Sequence, residues 1–79
     1  MDDTNKLVKS VISEQLGSNI STVKSDSLLV ENLGMDSFDA VEIIFDLENK
    51  TGVKISQEDM LNIKTVKDII EFIKTAKEH

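Results

Sequence analysis

Gly34-Met35-Asp36-Ser37-Phe38-Asp39 starts a helix abruptly. Asp36 is a side-chain acceptor at the cap position and Asp39 stands three residues on, the spacing of a reciprocal cap. Thr51-Gly52 closes the same helix, so the spacing predicts a span of about Ser37 to Thr51. At about 100° per residue, Ala40, Ile43, Ile44, Leu47 and Thr51 fall on one face and Asp39, Glu42 and Asp46 on the far side. Phe38, Val41 and Phe45 remain as a second apolar stripe beside the acids and on the side of Ser37. Two readings of that stripe are open: it packs under a neighbouring segment, or it is an exposed docking ridge with an acidic rim.

Working outward, Leu7, Val8, Val11, Ile12 and Leu16 mark a first helix over about Thr4 to Leu16, ended by Gly17. From Ser18 to Met35 the pattern loosens into a long loop, pinned to the core by Ile20, Val23, Leu28, Leu29, Val30 and Leu33. Ser56-Gln57-Glu58-Asp59 signals a short third helix to about Asn62. Thr65-Val66-Lys67-Asp68 repeats the signal for a last helix, with Val66, Ile69, Ile70 and Ile73 at i, i+3, i+4 and i+7. The expectation is an all-α chain of three longer helices, one short helix and one long ordered loop, forming a single domain over residues 1–79.

Composition removes several classes of function. With no Cys, Trp, Tyr or Arg, and its one His at position 79, the chain lacks most of the usual catalytic groups and any disulfide frame. The net charge of −6 repels nucleic acid. Met1-Asp2-Asp3-Thr4 lacks the pattern of a targeting leader, and no apolar run is long enough to span a bilayer, so the expectation is a soluble, cytoplasmic monomer. No Asp-rich twelve-residue loop with a central Gly and terminal Glu is present, which argues against calcium binding, and no other metal site is expected. The charge imbalance lies within residues 26–48, where Asp26, Glu31, Asp36, Asp39, Glu42, Asp46 and Glu48 meet no Lys. A solvated helix face ordinarily mixes signs, so this window favours partners with basic patches.

Ser37 has no His, Lys or Cys nearby in sequence to act as its base, so it is not a hydrolase nucleophile. A phosphodiester on its hydroxyl would instead be stabilised by free backbone N–H groups and the positive end of the helix dipole. Another enzyme would have to install that group.

Leu33-Gly34-Met35-Asp36-Ser37-Phe38-Asp39-Ala40-Val41-Glu42 resembles the phosphopantetheine attachment motif of acyl carrier proteins. The similarity extends from Leu7-Val8 through Glu14-Gln15-Leu16-Gly17 to Thr65-Val66-Lys67-Asp68-Ile69-Ile70. The resemblance implies a small four-helix bundle that is a carrier and not an enzyme. Ser37 would receive phosphopantetheine from coenzyme A through a magnesium-dependent phosphopantetheinyl transferase. The arm's thiol would hold acyl groups as thioesters for fatty-acid biosynthesis enzymes that grip the second helix. Asp36, Asp39, Glu42 and Glu48 match the family's acidic positions, and Phe38, Val41 and Phe45 its apolar contact positions. With Asp46 these residues form the expected docking face.

Three departures concern the partners: Phe38 stands where Leu is usual, Phe45 where Met is frequent, and Asn32 where an acid is common. A carrier specialised for polyketide, lipid-modifying or aminoacyl-transfer chemistry is therefore the alternative within the family. An unmodified acidic docking domain is the alternative outside it. A cargo chain gains about 0.8 kcal/mol per methylene taken from water. The expected lining of a cargo pocket is aliphatic: Val8, Ile12, Leu29, Val30, Ile44, Leu47, Ile55, Leu61, Ile63 and Ile70, with Met60 as an adaptable neighbour.

Overall fold

Apolar residues at helical spacing, closed off by caps and glycines, produce four α-helices: α1 Thr4–Leu16, α2 Ser37–Thr51, α3 Gln57–Leu61 and α4 Val66–Lys77. The computed structural model describes residues 3–77; Met1, Asp2, Glu78 and His79 lie outside them. α1 packs against both α2 and α4, giving the small all-α bundle expected, with no strand among the described residues. α3 ends at Leu61, one residue short of the expected span, because Asn62 is its cap and turns the chain toward α4.

The core is aliphatic. Val8, Ile12, Leu29, Ile43, Leu47, Val66, Ile69 and Ile73 are fully buried, while none of the three Phe residues is: Phe38 and Phe45 are exposed and Phe72 is half-buried. All four residues of the predicted α4 stripe, Val66, Ile69, Ile70 and Ile73, are buried. Branched aliphatics of this kind fill a core without the large rigid rings that would fix its shape.

The long connection between α1 and α2 is more structured than expected. It contains a 3₁₀ turn, Ile20–Thr22, started by Asn19, whose side chain accepts the Ser21 N–H at 3.0 Å. Its apolar residues do less of the anchoring than expected: Val23 and Leu29 are buried and Leu33 is half-buried, but Ile20, Leu28 and Val30 are exposed. Backbone hydrogen bonds hold the loop instead. Leu29 N–H donates to the Lys64 carbonyl at 2.9 Å, Val66 N–H to Ser27 at 3.1 Å and Lys67 N–H to Ser25 at 2.8 Å. An isolated antiparallel bridge pairs Leu28 with Thr65.

The loop thereby supplies acceptors for the first N–H groups of α4, which have no partner inside that helix. Thr65 Oγ1 accepts the next one, from Asp68, at 3.2 Å. In return the Asp68 carboxylate accepts the N–H groups of Lys64 at 2.9 Å and Thr65 at 3.1 Å. These two backbone donors are the main reason its pKa lies below the ordinary carboxylate value, with the Thr65 hydroxyl and Lys67 adding to the effect.

A carboxyl whose folded pKa is depressed stabilises the fold fully above its unfolded pKa and loses that contribution as pH falls through the folded value. Asp68→Asn is therefore expected to melt lower than the parent chain near neutral pH. The gap between the two should close as pH drops through the acid range, which thermal melts from pH 7 to pH 3 would measure. A gap that stays constant over that range would disprove the electrostatic part of this cap.

Candidate functional site

The head of α2 is set by three local features. Gly34 has φ +71°, a left-handed conformation that an L side chain rarely adopts, in a tight turn where Gly34 N–H donates to Val30 at 3.0 Å. Met35 N–H donates to Leu29 at 3.0 Å, which ties the turn to a fully buried residue. Asn32 closes the same turn: its side-chain oxygen accepts the Leu28 N–H at 2.8 Å. That contact gives the amide at this position a local structural task.

Asp36 then caps α2 reciprocally. Its carboxylate accepts the Asp39 N–H at 2.8 Å, and the Asp39 carboxylate accepts the Asp36 N–H at 3.3 Å. Gln15 on α1 donates to Asp39 at 3.5 Å and links the cap to the bundle. Ser37 is exposed in the first turn, and its hydroxyl has no hydrogen-bond partner among the described residues. The N–H groups of Ser37 and Phe38 likewise have no acceptor among them. A hydroxyl, two free amide donors and the positive end of a fifteen-residue helix therefore converge at one exposed point, an arrangement suited to a covalently held phosphate.

An open cleft of about 600 Å³ adjoins Ser37. It is lined by Val30, Met35, Asp36, Ser37, Ala40, Met60, Leu61 and Ile63, so the loop, α2 and α3 all contribute. Of the expected pocket residues, Val30, Met60, Leu61 and Ile63 are here. Val30 and Leu61 form the rim, 59% and 77% exposed, and are not interior lining. Leu29, Leu47, Ile55 and Ile70, with Val8 and Ile12, are buried in the core, and Ile44 is half-buried beside it. None of these six core residues, nor Ile44, lines the cleft. Leu29 reaches a smaller adjoining cavity of about 160 Å³ together with Val30, Met35 and Ile63. Sequence reasoning missed Met35 and Ala40 as lining. Ala40 follows Ser37 by three residues, one helical turn, which is a signal the sequence contained.

The stripe Phe38, Val41 and Phe45 is exposed along the outer face of α2, at 68%, 58% and 63%. The acids around it do not act as one set. Glu42 is exposed and unpaired by any cation among the described residues. Asp46, however, pairs at 3.0 Å with Lys50, a cation just beyond the Lys-free window, so part of the window's charge is offset from outside it. Glu48 is half-buried, and its carboxylate accepts the Ile55 N–H at 2.9 Å, anchoring the link between α2 and α3. Thr51 supports the same link, accepting the Val53 N–H at 3.1 Å. Among the described residues no cluster of three or more His, Cys, Asp or Glu side chains could hold a metal ion.

The family model for the phosphopantetheine attachment site matches residues 6–73. Similar proteins include the acyl carrier proteins of Thermotoga maritima, 44% identical over 84% of this chain and 82% of that one, and of Helicobacter hepaticus, 41% identical over 95% and 99%. The acyl carrier protein of Chlamydia caviae is 46% identical over 86% of this chain and 88% of its own. The chain belongs to the phosphopantetheine attachment site family, in the company of the acyl carrier proteins.

Because the Asp36 carboxylate accepts the Asp39 N–H, Asp36→Ala, which removes that acceptor, is expected to destabilise the fold by roughly 0.5–2 kcal/mol. In a domain of this size each kcal/mol lowers the melting temperature by about 4–8 °C. A thermal melt equal to that of the parent chain would contradict the cap's role.

Proposed function

We propose that Ser37 is the residue that bears the phosphopantetheine. The chain is a phosphopantetheine-bearing acyl carrier of fatty-acid synthesis. When bound, the arm supplies a terminal thiol that holds acyl groups as thioesters. The observation that carries the assignment of Ser37 is its free hydroxyl at the exposed head of α2, beside two unpartnered backbone N–H groups. Those donors and the helix dipole stabilise the anionic phosphodiester, while Asp36 and Asp39 hold the helix end in place. No side chain among the described residues bonds to the hydroxyl to activate it, which supports modification by a separate phosphopantetheinyl transferase and a carrier role without catalysis.

The cleft beside Ser37 receives the cargo chain. Ala40, Met35, Met60 and Ile63 offer it apolar walls, with Val30 and Leu61 as lips, and a branched aliphatic core behind them can adjust its rotamers. Partner enzymes of acyl transfer and fatty-acid synthesis, together with the transferase, dock in the cytoplasm on the outer face of α2. Phe38, Val41 and Phe45 supply the apolar contact, and Glu42, with Asp36 at the helix head, supplies the charge that basic patches meet.

Ser37→Ala should abolish attachment and keep the fold, because the cap belongs to Asp36. Intact-mass measurement after incubation with coenzyme A, magnesium and a transferase tests this, and a mass gain in the alanine variant would sink the assignment. On the docking face, Glu42→Lys should weaken transferase binding and flatten its dependence on salt, since exposed charges are screened over about 10 Å at 0.1 M. Phe45→Ala should weaken binding while leaving the salt dependence in place. Affinity indifferent to both substitutions would move the interface elsewhere.

A further inference from the structure

Both methionines among the described residues, Met35 and Met60, line the cleft beside Ser37. Met35 is buried, whereas Met60 is half-buried on the five-residue α3. We propose that Met60 is an oxidative modification site: a peroxide converts its thioether to the sulfoxide, and the change makes the cleft a poor host for an alkyl chain. The proposal rests on the reading of this cleft as the cargo site.

The step balances with a peroxide as the only co-reactant. A sulfur lone pair attacks one peroxide oxygen, the O–O bond breaks, and an S–O bond forms. Sulfur loses two electrons, and the departing hydroxide takes the proton from the oxygen now on sulfur and leaves as water, so the sulfoxide is neutral. Met60 is the side chain placed to react first, because it is the more accessible of the two thioethers and α3, a single short helix, can yield locally.

The sulfoxide oxygen is a strong acceptor and needs a donor. The cleft offers no side-chain donor once Ser37 is esterified: Val30, Met35, Ala40, Leu61 and Ile63 are apolar, and the carboxylate of Asp36 accepts from Asp39. Water can satisfy the oxygen while the cleft is open. An alkyl chain lying against Met60 expels that water and leaves the acceptor unpaired, so oxidation opposes cargo seating and leaves the empty domain folded.

The test compares decanoyl and acetyl forms of the modified protein, in which the arm's thiol is capped and cannot itself be oxidised. Hydrogen peroxide should oxidise Met60 before Met35 in peptide maps, and more slowly in the decanoyl form than in the acetyl form. The rise in melting temperature of the decanoyl over the acetyl form should fall to roughly half or less after oxidation, and should return on treatment with the two methionine sulfoxide reductases. In Met60→Leu, whatever gain remains should survive peroxide, while Met35→Leu should lose its gain as the parent does. Absence of any gain before oxidation would overturn the cargo reading of the cleft and this proposal with it. A gain that persists with Met60 fully oxidised, or oxidation of Met35 ahead of Met60, would overturn the proposal alone.

Discussion

The backbone pairing between the loop and the head of α4 is the constraint on which the arrangement depends. Ser25, Ser27 and Leu29 exchange hydrogen bonds with Lys67, Val66 and Lys64, across a connection whose buried apolar anchors are Val23, Leu29 and Met35. For a 79-residue chain with no disulfide, that economy matters, since small domains bury a limited share of their surface. The pairing satisfies α4's first amides and fixes the Leu28–Met35 turn, which in turn places Asp36. α2 differs: the loop consumes the free donors of α4, while those of Ser37 and Phe38 have no acceptor among the described residues.

Much of this was legible in the sequence. α1, α2 and α4 announce themselves by apolar residues at helical spacing, and Asp36–Asp39, Ser56–Asp59 and Thr65–Asp68 announce their caps. These signals are local, and local signals survive in one dimension. The exposure of Phe38, Val41 and Phe45 could not be settled that way, because a second apolar stripe looks the same whether or not another element covers it.

The less legible features are those that depend on a partner distant in the chain or on the backbone. Glu48 reads as one more acid on a charged helix, but its carboxylate is engaged by the Ile55 N–H, a donor that leaves no trace in residue identity. Val30 reads as core because it is aliphatic and follows Leu29. In the turn closed by Asn32 and Gly34, Leu29 and Met35 are buried and Leu33 half-buried, whereas Val30 becomes the lip of the cleft. The cleft itself is a junction of three segments, so no single periodicity could reveal it.

The wheel of α2 also shows how one helix presents two distinct surfaces on either side of Ser37. At about 100° per residue, Ser37 lies between the side of Ala40 and Ile44 and the side of Val41, Phe38 and Phe45. On the first side is the cleft, shared with α3 and the loop; on the second is the exposed aromatic stripe. A group attached at Ser37 would stand between the cleft and the exposed stripe, within reach of either by rotation about bonds at a single residue. Ile43 and Leu47, fully buried at the inner edge of the same face as Ala40 and Ile44, seat the helix in the core, while the aromatic stripe stays outside it. The aromatic residues at positions 38 and 45 thus shape the exposed stripe and leave the aliphatic walls of the cleft unchanged.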